Sequence, residues 1–261
     1  MSSEGTIELV VQGDDFGMCH AVNEGIRAAF VDGVLTQASF MAACPWAQEA
    51  LSLARQHAIP LGLHQTLTCD WENFRWGPLT KGPSLAGEDG SFPSTVAEAA
   101  ARVDPPDAEA ELRRQAGVVQ RAGLRLGYLD VHMGMVCPPA YQRLSEELGL
   151  PFLYPGLATS LKFASIRGLS ERPAGAKKSW LLHHLERLTT GVHLLVTHPG
   201  VAGPELASLT TSASPVHRWA EDYRASDLET LTDAEVAAAI ESLGIRLTSV
   251  VDAVALAPAA G

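Results

Sequence analysis

Two aspartates stand side by side in "IELVVQGDDFGMCHAVNEG", residues 7–25, where an apolar run ends. A plain turn or helix cap needs one carboxylate at most. Three further stretches place polar groups at the ends of apolar segments: His64 in "LGLHQTLT", Asp130 and His132 in "YLDVHMG", and His198 in "VTHPG". One carboxylate and two imidazoles are a common ligand set for a divalent cation with open coordination positions. Such a cation makes a bound water acidic and polarises a carbonyl. A second aspartate beside it can accept the water's proton, and a further histidine can protonate a leaving group. Each residue also has a plain reading: turn and cap for the aspartates, hydrogen-bonded core for a strand histidine, turn chemistry for His198 before Pro-Gly. What separates them from that reading is their shared position at predicted strand ends.

Other residues are candidates for holding a substrate. His20 lies three residues before Asn23, close to the aspartates, and either faces the site or flanks a helix start. The loop "CDWENFRWGPLTKGPSL" follows the His64 strand and carries Trp71, Phe74, Arg75 and Trp76. Its aromatic faces suit the C–H surfaces of a sugar, with Asp70, Glu72 and Arg75 for hydroxyls. The equal alternative is a loop that folds back and buries its own aromatics. His57, His183, His184 and His193 read as surface or helix residues, and His217 stays unassigned.

The elements that must position these groups alternate. Short apolar runs at 7–11, 35–43, 61–67, 126–132, 152–154, 192–197 and 245–251 read as strands. Helical spacing appears at 22–31, 46–57, 107–122, 141–148, 179–188 and 231–243. Residues 69–95 form a long loop, and 155–176 resist assignment. This alternation predicts a parallel sheet with crossover helices. About seven strands in one chain suggest a closed or nearly closed α/β barrel, with an open doubly wound sheet as the competitor. In a parallel barrel all strand C-terminal ends lie on one face, where distant residues converge. No repeat or composition break divides the 261 residues, so one domain over 1–261 is expected.

Composition narrows the partners. A net charge of −11 disfavours nucleic acid and suits a cation where carboxylates converge. The cysteines at 19, 44, 69 and 137 contain no C-x-x-C pair, and reduced thiols in a cytoplasmic protein are the simplest expectation. The N-terminal stretch lacks a basic region and a long apolar segment, so neither a signal peptide nor a membrane span is expected there. A homo-oligomer is compatible with all of this.

"GDDFGMCHAVNEGIRAAFVDGVLTQASFMAACPW", "LGLHQTLT", "YLDVHMG" and "THPG" together resemble the ChbG/YdjC family of carbohydrate deacetylases, over nearly the whole chain and in the family's order. The resemblance implies a distorted, TIM-like (β/α) barrel related to the NodB-type deacetylases. It implies one divalent metal held by Asp15, His64 and His132, with Asp14 as base and His198 assisting the leaving amine. Two histidines slightly favour zinc over magnesium. The implied reaction removes the N-acetyl group from an amino sugar. A metal-dependent sugar isomerase or lyase, or a non-catalytic carbohydrate-binding protein, are the rivals. Three positions depart from the usual family pattern: Gly13 for Ala, Gln65 after the strand histidine, and Gly134 where many members carry a second histidine.

Overall fold

In the computed structural model, which describes residues 5–212 and 220–256, β1 (Ile7–Phe16) is the longest strand and the sheet is built around it. With β2 (Gln37–Phe40), β3 (Leu61–Gln65), β4 (Leu126–Val131), β5 (Ser165–Gly168) and β6 (Gly191–Thr197) it forms a parallel sheet in the order β4-β3-β2-β1-β6-β5. The two-residue β7 (Arg246–Leu247) pairs with Glu8 and Leu9 of β1. β6 fills one edge of β1 from Ile7 to Gly13. β7 therefore shares the other edge with β2, which pairs higher up, from Gln12. Between β4 and β5 the gap is spanned by Phe152, bridged to Leu129 and Ser160, with Leu153 N–H donating to the Leu129 carbonyl at 2.9 Å. The result is the expected distorted barrel.

Strand alternation sorts the side chains into two faces. Residues such as Leu9, Val11, Phe40, Leu63, Leu129 and Leu195 join the large apolar core beneath the helices. The opposite face is layered along the barrel axis. Val10, Tyr128 and Leu194 make an apolar floor with Leu153 and Val250. A buried polar layer of Gln12, Ser39 and Asp130 sits two residues further on. Asp14, His64, His132 and His198 come next. Gly62 serves the floor: a Cβ there would sit 2.0 Å from the Tyr128 ring, so only glycine leaves room for it.

The helices α1 (His20–Val31), α2 (Ala47–His57), α3 (Val96–Arg102), α4 (Pro105–Arg121) and α5 (Pro138–Leu148) follow the first four strands. α6 (Lys177–Leu185), α7 (Pro204–Ala207), α8 (Ala220–Leu231), α9 (Ala234–Ser242) and α10 (Val250–Leu256) complete the chain. Gly25 lets α1 press on the loop after β6, since a Cβ there would lie 2.4 Å from Gly200 Cα.

Several expectations need correction. The segment 155–176 contains β5, whose four residues are too few to show a period. The predicted last strand, 245–251, is cut to two residues because α10 begins at Val250. The helix expected over 231–243 is α9 alone, opened by Asp233, whose side chain accepts from Glu235 N–H. α8 has no counterpart among the expected helices. α4 begins at Pro105 after Asp104, and Asp107 instead receives the Ser84 hydroxyl and N–H. His193 is not a surface residue: it is buried on β6 between Ser165 Oγ and the Thr189 carbonyl. His217 lies outside the described residues. All four cysteines are buried and free, and among the described residues no helix is long and apolar enough to cross a membrane.

Candidate active site

Consecutive residues of a regular strand point to opposite faces, so Asp14 and Asp15 could not share a site without a local irregularity. β1 supplies one. Gly13 pairs with Ala38 and Phe16 with Phe40, so β1 advances three residues against two of β2. The extra residue makes a bulge, a device that re-aims side chains at barrel rims. Asp15 takes it up at φ 70°, a left-handed conformation that aspartate tolerates better than most residues. Both carboxylates then lie buried at the barrel mouth, 3% and 2% exposed.

Asp15 Oδ1 stands 3.5 Å from His64 Nε2 and 3.3 Å from His132 Nδ1, yet makes no hydrogen bond among the described residues. Its other oxygen receives Arg224 Nη2 at 2.5 Å. Each ring is held from behind by a second carboxylate: His64 Nδ1 by Asp130 Oδ1 at 2.9 Å, His132 Nε2 by Asp70 Oδ1 at 3.2 Å. The ligand atoms of Asp15, His64 and His132 lie within 4.8 Å of one another. A buried oxygen without a partner, facing two imidazole nitrogens, is the environment a divalent cation completes, and the donor set suits one.

The electrostatics agree. Burial works against a charged Asp15, but Arg224 and the two rings outweigh it and hold the carboxyl well below its usual range. Burial also opposes a cationic His132; its contacts with Asp15 and Asp70 nevertheless raise it to about 9. His64 is likewise held well above its ordinary value, against burial, by Asp130 and Asp14. The carboxylates thus draw positive charge onto the rings, charge that a cation would supply instead.

Asp14 is placed differently. Gln12 Nε2 donates to its Oδ1 at 2.7 Å and also to Asp130 Oδ2 at 2.8 Å, tying the two carboxylates to one amide. Burial pushes the Asp14 carboxyl up to about 7; His64 pulls against this, while Asp130 and Asp15 add to it. His198, from the loop after β6, sets Nε2 3.9 Å from Asp14 Oδ2. Its Nδ1 meets Ser170 Oγ at 2.9 Å, and Ser170 donates to Asp227 Oδ2 at 2.5 Å. A cavity of about 570 Å³ opens over these groups, walled by Met133, Met135, Tyr154 and Ile166. Gly134 lines it too, so the position where many family members carry a second histidine contributes no side chain to the wall.

The structure brings five of the candidate residues together here: Asp14, Asp15, His64, His132 and His198. The proposed substrate-holding residues are elsewhere. Trp71 is 1% exposed and its indole N–H points to Met18 Sδ. Trp76 is buried, with its N–H on the Thr68 carbonyl and its ring 5.9 Å from His132. Arg75 is spent on the carbonyls of Cys69, Trp71 and Phe92 and on Ser94 Oγ. The loop has folded back on its own aromatics, and its contribution to the site is Asp70. His20 turns outward to Glu49 at 2.9 Å, beside Trp46. Asn23 is buried, but accepts Gly17 N–H and donates to Trp46 O and Glu49, so it holds a loop. None of these five residues lines the cavity.

The sequence reading assigns no site role to Gln12, Ser170, Arg224 or Asp227, and it marks Asp130 at a strand end without giving it one. Two were within reach, since Gln12 and Asp130 each precede a site residue by two on an inward strand face. Arg224 and Asp227 had no such signal, because α8 itself was unseen.

The sequence profile of the family described as YdjC-like protein matches residues 8–242. A carbohydrate deacetylase of Geobacillus stearothermophilus is 29% identical over 246 residues, 91% of this chain and 94% of that protein. One of Brevibacillus brevis is 34% identical over 157 residues, 58% of this chain and 60% of that protein. Among solved structures, an Enterococcus faecalis V583 protein named for cellobiose-phosphate cleavage superposes with TM-score 0.79 at 23% identity, over 95% of this chain and 99% of that one. A family 4 carbohydrate esterase of Streptomyces lividans gives TM-score 0.50 at 12% identity, over 93% and 92%. At such identities these structures speak to the fold alone, and both share the arrangement of this chain over more than nine tenths of its length. The profile covers most of the sequence, and the chain belongs to the YdjC-like family.

Proposed function

We propose that this protein is a metal-dependent carbohydrate deacetylase that removes the acetyl group from the nitrogen of an amino sugar. The observation that carries the reading is the buried Asp15 Oδ1, without a hydrogen bond among the described residues and facing two imidazoles, with Asp14 and His198 alongside. The named activity of the relatives supports it. Asp15, His64 and His132 would hold the cation, with zinc ahead of magnesium because two of three donors are imidazoles. When bound, the cation supplies Lewis acidity, lowering the pKa of a nearby water and withdrawing electrons from a carbonyl oxygen.

The chain's own residues then divide the proton work. Asp14, held by Gln12, accepts a proton as the water oxygen bonds to the acetyl carbonyl carbon. His198 Nε2–H gives its proton to the amide nitrogen as the C–N bond breaks, and acetate and a free amine leave. Buried free thiols support a reducing compartment, and we assign the protein to the cytoplasm on that ground.

The test is acetate release from a panel of N-acetylated mono- and disaccharides, by protein loaded with zinc or magnesium and by protein treated with chelator. Metal-dependent release, abolished in Asp14→Asn, is expected. A loaded protein that binds these sugars and frees no acetate would end the reading and favour a carbohydrate-binding role; a rearranged sugar without acetate would favour an isomerase.

A further inference from the structure

Asp227 is fully buried and surrounded by donors. Lys177 Nζ reaches its Oδ1 at 2.7 Å, and the His198 backbone N–H reaches its Oδ2 at 2.7 Å. An ammonium and an amide can only donate, so Asp227 here is an acceptor. Ser170 Oγ, 2.5 Å from the same Oδ2, must therefore donate to it. A hydroxyl has one proton. Having given it to Asp227, Ser170 offers only lone pairs to His198 Nδ1 at 2.9 Å. Nδ1 must then carry hydrogen. The nitrogen turned to the cavity, Nε2, is left as the one that gains and loses the proton.

Lys177 completes the arrangement. It is 0% exposed, bonded to the Tyr223 carbonyl at 2.6 Å as well as to Asp227, and lies over the Tyr223 ring. That ring packs against His198 at 5.7 Å between centroids. Four separate segments thus contribute: the second residue after β5, the start of α6, the loop after β6, and α8. Histidine free in water prefers hydrogen on Nε2, so this network selects the less favoured form.

We propose that Ser170 and Asp227, braced by Lys177, are positioning residues that fix His198 as the Nδ1–H tautomer and so present Nε2 to the reacting amide. The proposal rests on the deacetylase reading for its purpose, though not for its geometry. Imidazole tautomers are read directly by ¹⁵N resonances of histidine-labelled protein, with His198→Gln assigning the signal. The expected result is a protonated Nδ1 for neutral His198 in the wild type, lost in Ser170→Ala and restored in Ser170→Thr. A wild-type His198 protonated at Nε2, or an unchanged signal in Ser170→Ala, overturns the proposal. In acetate release, Ser170→Ala should lower kcat by between about tenfold and about 10⁴-fold, the larger figure being what a wrong tautomer costs a hydrolytic triad. KM and metal content should stay as they are, and Ser170→Thr should recover the rate. A fall in metal content matching the fall in kcat would overturn the positioning role. Loss of the deacetylase reading would leave the resonances where they are, so the two failures are distinguishable.

Discussion

His64 and His132 rest directly on carboxylates, whereas His198 rests on a hydroxyl with its carboxylate one bond further back. A carboxylate against an imidazole raises the ring's basicity and fixes its orientation, which suits a ring that must keep donating electrons to a cation. A ring that must surrender a proton in each turnover gains from a weaker hold on its charged form. The hydroxyl keeps the orientation and moves the negative charge away. The three rings line one cavity, and on the proposed reading their supports divide them into two ligands and one acid.

Removing the rings is the harshest test of that division. His64→Ala should strip the protein of bound metal after gel filtration, as measured by elemental analysis, and acetate release should vanish with it. His198→Ala should keep its metal and lose about 10²- to 10⁴-fold in kcat, the range for a general acid. Metal loss in His198→Ala would merge the two classes.

The buried pair behind His198 comes next. Lys177→Met leaves the Asp227 carboxylate buried without its ammonium, and breaking a buried pair from one side costs about 3–5 kcal/mol. Urea unfolding should show that loss, with metal content per folded chain unchanged. A variant as stable as the wild type would mean that Asp227 takes up a proton instead, which removes the donor logic at Ser170.

Asp130→Asn should weaken metal affinity by about 10- to 100-fold, the usual effect of losing an outer carboxylate. Competition with a chelating dye measures this. The same assay on Ser170→Ala should show no change, since Ser170 touches no proposed ligand.

How much of this was legible follows from where each residue sits. Strand-end motifs announced β1, β3, β4 and β6, because each joins an apolar run to a polar residue. The two-residue alternation then carried Asp14, His64, His132 and His198 to one face. The bulge that brings Asp15 alongside Asp14 was not readable, since it exists only in the pairing of β1 with β2. α8 was invisible for a physical reason. Its buried residues include Tyr223, Arg224, Ser226, Asp227 and Thr230, so it has no apolar stripe of helical period. The face that hides it is the one that grips Asp15, Ser170 and His198. The loop at 69–95 was readable in two ways from sequence, because the aromatics that suit a sugar platform are also what a long loop needs for a core of its own, and the structure shows the second.

The smallest expected effect lies at His20, which the sequence offered as a substrate contact. Its ring is half-exposed, beside Trp46, and its one strong partner is Glu49. Exposed pairs of this kind contribute little, and surface substitutions usually change stability by about 0.5 kcal/mol or less. His20→Ala should therefore shift the urea midpoint by no more than a few tenths of a molar, about 0.5 kcal/mol divided by the denaturant slope, and leave kcat/KM for the best disaccharide within about twofold of wild type, on the scale where 1.4 kcal/mol is tenfold. A selective rise in KM, growing from mono- to disaccharide, would show instead that a sugar reaches past the cavity rim to the Trp46 face. That outcome would extend the binding surface without touching the division among the three histidines. A fall in kcat with KM unchanged would place His20 within the chemistry and break it.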